Sequence, residues 1–275
     1  MFRTDRSVPV PGRPIPVEVL TDAGPALLDV GPITGAMELD VAAARSRART
    51  VPPVLLETLV LASGAVEWNG AALQAETAEA LLLGDRARLT LAVLCAGYGA
   101  PSELLWTCPD CGTMQELPFD PQPILETRAT GPVGQGFPSA HGLSMRLPIG
   151  ADLSVLAAEG RASAAALLSR CAPEAGVGDI EAVEAEISAR DPCAEIALAA
   201  HCIACGQAGN GVIDPLALLR AEMDREGGIL AEIDAIARAY HWSEAELRAL
   251  PAHQRRLYLA AIRASEAEEP SRWAS

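Results

Sequence analysis

The sequence predicts an α+β fold that is mostly α-helical, with a four-cysteine ribbon, split into two β-hairpin knuckles, embedded among the helices. Two segments predict the helices: apolar residues recur at helical spacing over 51–99 and again over 216–265. A further observation predicts the ribbon: two Cys-x-x-Cys-Gly segments are each flanked by short runs typical of strands. At 275 residues, the chain is long enough to bury a substantial core.

Residues 1–50 are predicted to form a Pro-rich extended arm. Six prolines lie among alternating Val, Ile and Leu in residues 1–35. Proline excludes a helix and disfavours a central strand. We therefore expect one edge strand around Ile15–Leu20 and otherwise extended chain.

The segment 51–99 is predicted to be an N-terminal helical segment with a break in the middle. Pro52 and Pro53 can begin a first helix, and Ser63-Gly64 interrupts it. A leucine-rich helix then runs from Thr77 to Cys95. Because this second helix is apolar on almost every side, we expect it to be buried on most of its faces.

The two cysteine segments are copies of one pattern, with a large insertion between them. They are Cys108-Pro-Asp-Cys111-Gly112 and Cys202-Ile-Ala-Cys205-Gly206. In each copy, seven residues follow the glycine and lead to an Asp-Pro pair, at Asp120 and at Asp214. Strands are expected at Glu103–Thr107 and Met114–Phe119 around the first pair, and at Ile196–Ala200 before the second. The repeat predicts two halves of one ribbon, 100–120 and 195–215.

Paired Cys-x-x-Cys turns supply the four thiolates of a tetrahedral zinc site. We predict a structural Zn²⁺ ion with the ligands Cys108, Cys111, Cys202 and Cys205. Four sulfurs leave no coordination position open for catalysis. An Fe–S centre and an incomplete site are the alternatives, and His201 could substitute for one thiolate.

A redox function for the cysteine pairs is a competing interpretation. Thioredoxin-like pairs begin a helix directly after a strand, whereas Thr113–Phe119 has the pattern of a strand. The pattern therefore favours metal binding. The other cysteines, Cys95, Cys171 and Cys193, are expected to be buried free thiols.

The rest of the chain divides into an insertion, a C-terminal helical segment and a tail. The insertion, 121–194, begins with a Pro- and Gly-rich linker or mobile loop up to residue 142 and continues as helices. The segment 216–265 is helical and contains a capping box that begins at Ser243. Residues 266–275 form an acidic tail that we expect to fray.

Charge and hydropathy limit the classes of function. A formal net charge of −15 argues against non-specific binding to nucleic acid or to an anionic membrane, since both require a cationic face. No window reaches the roughly 18 apolar residues of a membrane span, and the first residues lack the apolar stretch of a secretory signal. We expect the protein to be cytoplasmic, where thiols stay reduced.

No pattern of catalytic residues is apparent, and we predict that the protein is not an enzyme. The chain has four histidines, none in a metalloprotease, nucleophile-elbow or triad-like context. The glycine-rich stretch 131–136 lacks both the preceding strand and the following Lys-Ser/Thr of a phosphate loop.

Several segments between about residues 75 and 262 together resemble the baseplate-hub assembly chaperone family of T-even-like phages, and in particular its zinc-knuckle homologues in contractile injection systems. They are Leu82–Leu94 with its Gly-Asp-Arg, Tyr98-Gly99, Trp106–Gly112, Arg146–Asp152, Asp191–Ile196, Glu232–Glu246 and Arg255–Tyr258. The Pro-rich residues 1–50 have no counterpart in this comparison, and the phage proteins are shorter and lack the full cysteine set.

The resemblance implies a non-enzymatic assembly factor, or a minor baseplate or hub component, of a phage-tail-like contractile particle. Its partners would be baseplate or hub proteins. A zinc-ribbon adaptor in transcription or nucleic-acid handling is the alternative, and the acidic net charge weighs against it. A redox or metal-dependent enzyme is a third interpretation, which requires an open coordination position.

Overall fold

A computed structural model describes residues 9–47, 51–139 and 142–272. It confirms the α+β fold, in which helices predominate and the strands form small antiparallel sheets. The helices are α1 (Gly35–Arg47), α2 (Pro53–Val60), α3 (Ala75–Ala80), α4 (Leu83–Tyr98), α5 (Gln122–Glu126), α6 (Gly150–Ala158), α7 (Ala164–Cys171), α8 (Ile180–Arg190), α9 (Pro215–Met223), α10 (Gly228–Tyr240), α11 (Glu244–Ala249) and α12 (Ala252–Arg272). The strands are β1 (Ile15–Thr21), β2 (Gly24–Val30), β3 (Val66–Trp68), β4 (Ala71–Ala72), β5 (Glu103–Thr107), β6 (Met114–Pro118), β7 (Phe137–Pro138), β8 (Ser144–Met145), β9 (Ile196–His201) and β10 (Ala208–Ile213).

The N-terminal residues form part of the core. The edge strand expected around Ile15–Leu20 is present as β1, whereas β2 and α1 replace the extended chain predicted for the rest of the described part of residues 1–50. Strands β1 and β2 form a hairpin that continues through β3 to β4 as an antiparallel sheet. Their buried residues alternate along both strands and belong to the main apolar cluster: Val17, Val19, Leu28 and Val30. Residues 1–8 and 48–50 of the predicted arm lie outside the described residues.

The prolines are compatible with this sheet because of where they fall. Pro16 lies on β1, the edge strand, where one side of the backbone needs no partner. Pro25 is next to the hairpin turn, in which Gly24 has a φ of 113° that favours glycine. The apolar alternation of this segment therefore indicated its structure better than its proline content did.

Helix α4 is the centre of the molecule, and the expectation that it is buried on most faces is confirmed. Every residue of α4 from Gly84 to Gly97 is buried except Ala87. The helix contacts β1, β2, α2, α5, α9 and α12. Elements from the start, middle and end of the chain therefore all pack against this helix.

The first turns of α4 contain charged side chains that are buried almost completely. Arg86, with no exposed surface, donates to Glu57 Oε2 at 2.9 Å and to the carbonyl oxygens of Ala78 at 2.7 Å and Val54 at 3.0 Å. It also donates to Thr58 Oγ1 at 3.1 Å. Arg86 therefore holds α2 and the end of α3 against α4.

Arg88 and Asp85 connect α4 with the sheet and with α5. Arg88 donates to Asp85 Oδ1 and to the Glu18 carbonyl of β1, both at 2.8 Å, and to the Leu125 carbonyl of α5 at 2.7 Å. The backbone N–H of Leu20 donates to Asp85 Oδ2 at 2.8 Å. An unpaired charge would be costly to bury here, and these hydrogen bonds offset that cost.

Gly84, one residue before Asp85, connects α4 with the loop after α8. Its N–H donates to Asp191 Oδ2 at 2.9 Å. A Cβ at this position would lie 1.9 Å from Asp191 Oδ1 and 2.9 Å from the backbone N of Ala194. The close approach of the two segments therefore requires glycine.

A third buried arginine joins the ends of the chain. Arg255 on α12 donates to Glu232 Oε2 on α10 at 2.7 Å and to the Leu250 carbonyl at 2.7 Å. It also forms an ion pair with Glu38 on α1, and both of these side chains are almost completely buried. This contact fixes the C-terminal helices against the N-terminal part of the fold.

The insertion and the C-terminal segment are largely helical, as expected. Residues 121–142, predicted as a linker or loop, also contain α5 and the first strand of the small β7–β8 hairpin. The capping box is present, with Glu246 N–H donating to Ser243 Oγ and Ser243 N–H donating to Glu246 Oε2. Helix α12 continues to Arg272, so it includes the described part of the predicted tail, and the expectation that the tail frays stays a prediction. Ala and Glu, which favour helix, occupy 266–269.

Replacing Gly84 should test the close approach of α4 to the loop after α8. We expect Gly84→Ala to lower the free energy of unfolding by about 3 kcal/mol, because the added methyl group meets backbone as well as a side chain. Gly178→Ala is the matched control, since nothing lies within 4 Å of a Cβ there. Urea denaturation measures the free energy of unfolding of both variants, and an equal loss of stability in the two would contradict the steric argument.

Replacing Arg255 should test the buried ion pairs. We expect Arg255→Met to cost about 3–5 kcal/mol, because Glu38 is left buried without its cation. Arg238→Met is the control, since its pair with Asp234 is exposed and is worth only about 0.5 kcal/mol.

The pH dependence of the stability of Arg255→Met distinguishes the loss of the ion pairs from the loss of packing. Burial raises the pKa of Glu38 even beside Arg255, which acts to lower it. Removing the cation therefore raises this pKa further, so that the native state binds more protons than the unfolded state above the ordinary carboxyl pKa. Stability then falls as pH rises through that window, and the deficit of Arg255→Met should be larger at about pH 7 than at about pH 5. A deficit independent of pH would indicate lost packing alone.

Candidate metal centre

Two β-hairpins present the four cysteines. Strands β5 and β6 pair in antiparallel register from Glu103↔Pro118 to Thr107↔Met114, and the first cysteine turn joins them. Strands β9 and β10 pair from Ile196↔Ile213 to His201↔Ala208, and the second turn joins them. The strands expected around each cysteine pair are therefore confirmed to within one residue at their ends.

The two cysteine turns have the same backbone hydrogen bonds. Cys108 N–H donates to the Thr113 carbonyl at 2.9 Å, and Cys202 N–H donates to the Gln207 carbonyl at 2.9 Å. These bonds close each hairpin immediately beyond its cysteine pair. The sequence repeat therefore corresponds to a repeat of backbone conformation.

The glycine after each second cysteine has a left-handed backbone conformation. Gly112 has a φ of 73° and Gly206 a φ of 75°. Their N–H groups donate to the carbonyls of Cys108 at 3.0 Å and Cys202 at 2.9 Å. Residues that carry a side chain rarely adopt this left-handed backbone conformation. Glycine adopts it without strain, and it therefore allows the chain to curl around the sulfurs.

The Asp-Pro pair that ends each repeat turns a strand into a helix. Asp214 accepts hydrogen bonds from the N–H groups of Leu216 at 2.9 Å and Ala217 at 3.1 Å, which caps α9. In the first copy, Asp120 accepts from Gln122 N–H at 3.0 Å, at the start of α5. Both helices pack on α4. The central helix therefore orients both halves of the ribbon.

The fold brings the four predicted ligands together from the two distant segments. Their sulfur atoms all lie within 4.8 Å of one another. The Sγ of Cys108 is 3.7 Å from that of Cys205, and the Sγ of Cys111 is 3.5 Å from that of Cys202. A tetrahedron with metal–sulfur bonds of about 2.3 Å has edges of about 3.8 Å. The four thiols therefore fit a metal ion, and they are too far apart for disulfide bonds.

Each knuckle contributes one buried and one exposed cysteine. Cys108 and Cys202 are buried, whereas Cys111 and Cys205 are exposed. A hydrogen bond with Thr113, 3.3 Å away, lowers the pKa of Cys111 to about 6. A backbone hydrogen bond at Gln207 also lowers the pKa of Cys205, but desolvation and the neighbouring thiols outweigh it and raise this pKa to about 12. Negative charge on one sulfur opposes charge on the next, and a bound cation would remove that opposition.

One glutamine connects the two knuckles directly. Gln115 on β6 donates through Nε2 to the His201 carbonyl at 2.9 Å, and its Oε1 accepts from Ile203 N–H at 2.9 Å. It therefore brackets Cys202 from the opposite hairpin. The sequence did not indicate this residue, because its only signal is a polar side chain at an inward position of a strand.

Trp106 packs the two hairpins together next to the sulfurs. It is buried in a small apolar cluster with Cys108, Cys202 and Ala200. A Cβ at Gly209 would lie 3.0 Å from the Trp106 ring, and one at Gly211 would lie 3.1 Å from it. Strand β10 therefore needs glycine at two positions to admit the indole, which the sequence alone did not reveal.

The remaining candidates lie away from this cluster. His201 is exposed, and it is not among the described donors that lie within 4.8 Å of one another. Cys95, Cys171 and Cys193 are buried free thiols, as predicted. Burial raises the pKa of Cys171 to about 11, so this thiol stays protonated at neutral pH.

Comparisons with known proteins give no relative for this chain. No family model matches it, and no curated protein or solved structure is significantly similar to it. In the part of the chain that the structure describes, no helix combines the length and apolar character of a membrane span. The resemblance to phage hub chaperones therefore stays a prediction.

Removing one sulfur should test the metal centre. We expect the purified chain to contain about one metal ion, and Cys108→Ser to lose it and expose the ribbon to protease, since such ions contribute on the order of 10 kcal/mol to folding. Elemental analysis and limited proteolysis measure these effects. Cys171→Ala, which replaces a buried thiol outside the cluster, should keep its ion, and a folded metal-free wild-type protein would contradict the assignment.

Proposed function

We propose that this protein is a non-enzymatic assembly factor, or a minor baseplate or hub component, of a contractile phage-tail-like particle, with a framework held by a structural zinc ion. The observation that carries the proposal is the closed cluster of four sulfurs between two hairpins. The protein itself supplies every ligand of a tetrahedral ion there, and the site therefore suits a scaffold rather than a reaction centre.

Zinc suits this cluster better than the other ions that thiolates bind. It prefers four-coordinate tetrahedral geometry, and two Cys-x-x-Cys-Gly turns on hairpins are its usual structural setting. Zinc would be held by Cys108, Cys111, Cys202 and Cys205, and it would neutralise part of the charge that the thiolates place on one another. In this proposal the protein acts in the cytoplasm, where thiols stay reduced.

An Fe–S centre is distinguishable from zinc by its spectrum. Zinc has a filled d shell and is not redox-active, so we expect a colourless protein. Iron and inorganic sulfide with absorbance in the visible range would overturn the choice of metal. Slow reaction of the four thiols with a thiol reagent until a chelator is added would support a closed zinc site.

The assembly function rests on the resemblance and on the kind of surface that the fold presents. The charged residues of its motifs include Asp85, Arg86, Asp152 and Arg255, and these are buried in contacts between elements. A shared pattern of such buried residues supports a shared fold. A partner protein would contact the exposed surface instead. That surface carries a large negative charge, which suits basic protein partners better than nucleic acid.

Co-purification from the cells that encode the protein tests the assembly function. We expect an affinity-tagged chain, expressed at its natural level, to retain baseplate or hub proteins identified by mass spectrometry. Cys108→Ser should lose them because its ribbon is disordered, whereas Cys171→Ala should retain them. Enrichment of transcription proteins in place of particle proteins would overturn the proposal.

A gel-shift measurement tests the alternative of a nucleic-acid adaptor. At low salt, where electrostatic binding is strongest, we expect neither DNA nor RNA to be retained by the metal-loaded protein. The acidic net charge opposes such binding. Retention that weakens steeply with added salt would favour the zinc-ribbon adaptor.

A further inference from the structure

A groove of about 850 Å³ runs between the two hairpins, on the side where they meet α4 and α9. Strand β5 lines it with each of its residues from Glu103 to Thr107, and β10 lines it from Asn210 to Ile213. Side chains of consecutive residues point to opposite faces of a strand. A groove that touches every residue of a strand therefore follows the edge of that strand.

Both of these edges are open. In the described residues, β5 pairs with β6 alone and β10 pairs with β9 alone, so each strand has one side without a neighbouring strand. An open edge offers a row of backbone donors and acceptors to another extended chain. Five residues of β5 span about 17 Å, which is enough for a short added strand.

Part of the groove and part of its rim are apolar. Leu104, Leu117 and Leu198 line its inner part beside the ribbon core. At the rim, Leu105 is 70% exposed and Val212 is 68% exposed. An added strand with apolar residues at alternate positions could cover these side chains while its backbone pairs with an edge.

The charges of the groove favour a basic occupant. Its two cations, Arg225 and Arg256, both hold one carboxylate, that of Glu222, at 2.5 and 2.6 Å. Its other acids are Glu103 and Asp214, and within the described residues neither forms an ion pair with an arginine. In the described part of the chain, Glu103 therefore remains without a cation where β5 begins, whereas Asp214, just after β10, already accepts the two N–H groups that it caps on α9.

We propose that this groove binds an extended segment of a partner protein, with alternating apolar and basic residues, by adding it as a strand to the open ribbon edge. The proposal goes beyond the assembly function, because it defines the partner segment by its chemistry alone. Backbone pairing supplies affinity, the rim residues Leu105 and Val212 supply apolar contact, and Glu103 selects for positive charge.

A synthetic peptide tests the proposal with the full-length, metal-loaded protein. The probe is a fluorescein-labelled peptide of sequence Val-Arg-Val-Arg-Val-Arg-Val, and its binding is measured by fluorescence anisotropy. We expect saturable binding, and binding at least about tenfold weaker when alternate amide nitrogens are methylated, since this removes backbone donors. Replacing the arginines by glutamates should weaken binding by about tenfold or more.

Matched variants locate the binding surface. Leu105→Asn and Val212→Asn should each weaken the binding of the basic peptide about fivefold or more. Leu257→Asn is the control, since Leu257 is 69% exposed on α12 and does not line the groove. Glu103→Gln should also weaken binding, whereas Glu67→Gln on β3, an exposed acid outside the groove, should not.

Four outcomes would overturn the proposal. They are no saturable binding, equal binding of the methylated peptide, an equal loss in Leu257→Asn, and self-association of the chain that Leu105→Asn abolishes. The last would show that a second copy occupies the groove, and sedimentation of the unliganded protein would reveal it. None of these outcomes decides whether hub proteins co-purify, so the two proposals fail independently.

Discussion

The burial of charge at the start of α4 is the constraint on which the rest of the structure depends. Gly84, Asp85, Arg86 and Arg88 are all almost completely buried, and together they contact the loop after α8, β1, α2, α3 and α5. Burying a charge is costly unless the charge is paired and hydrogen-bonded. The sheet, α2, α3, α5 and the loop after α8 must therefore take their places together, which makes α4 the organiser of the fold.

The ribbon depends on α4 as well as on its own cysteines. Each repeat leaves its hairpin through an Asp-Pro corner and enters a helix, α5 or α9, that packs on α4. The two knuckles consequently approach each other before any ion is considered, with Gln115 and Trp106 completing the contact. A bound metal ion would lock an arrangement that packing and hydrogen bonding already favour, and it would make the long insertion between the repeats a closed loop.

The residues that hold the fold together are separate from the exposed surface of this protein. The charged residues of the motifs that resemble a family form buried contacts between elements, and the four cysteines form a cluster that can enclose one metal ion. What remains available to a partner is exposed: the acidic surface and the groove between β5 and β10. The proposed function in assembly would use this exposed surface.

The sequence by itself determined the local features. The duplicated cysteine turns, their strands, the capping box at Ser243 and the buried character of α4 all follow from short-range patterns of residue type and spacing. Only the tertiary structure decided what those patterns contact. It placed the Pro-rich β1–β2 hairpin in the core and paired Arg255 with Glu38 from the other end of the chain. It also set the indole of Trp106 against two glycines of β10. The physical reason is that edge position, ion pairing and close approach depend on residues far apart in sequence, and no local pattern encodes them.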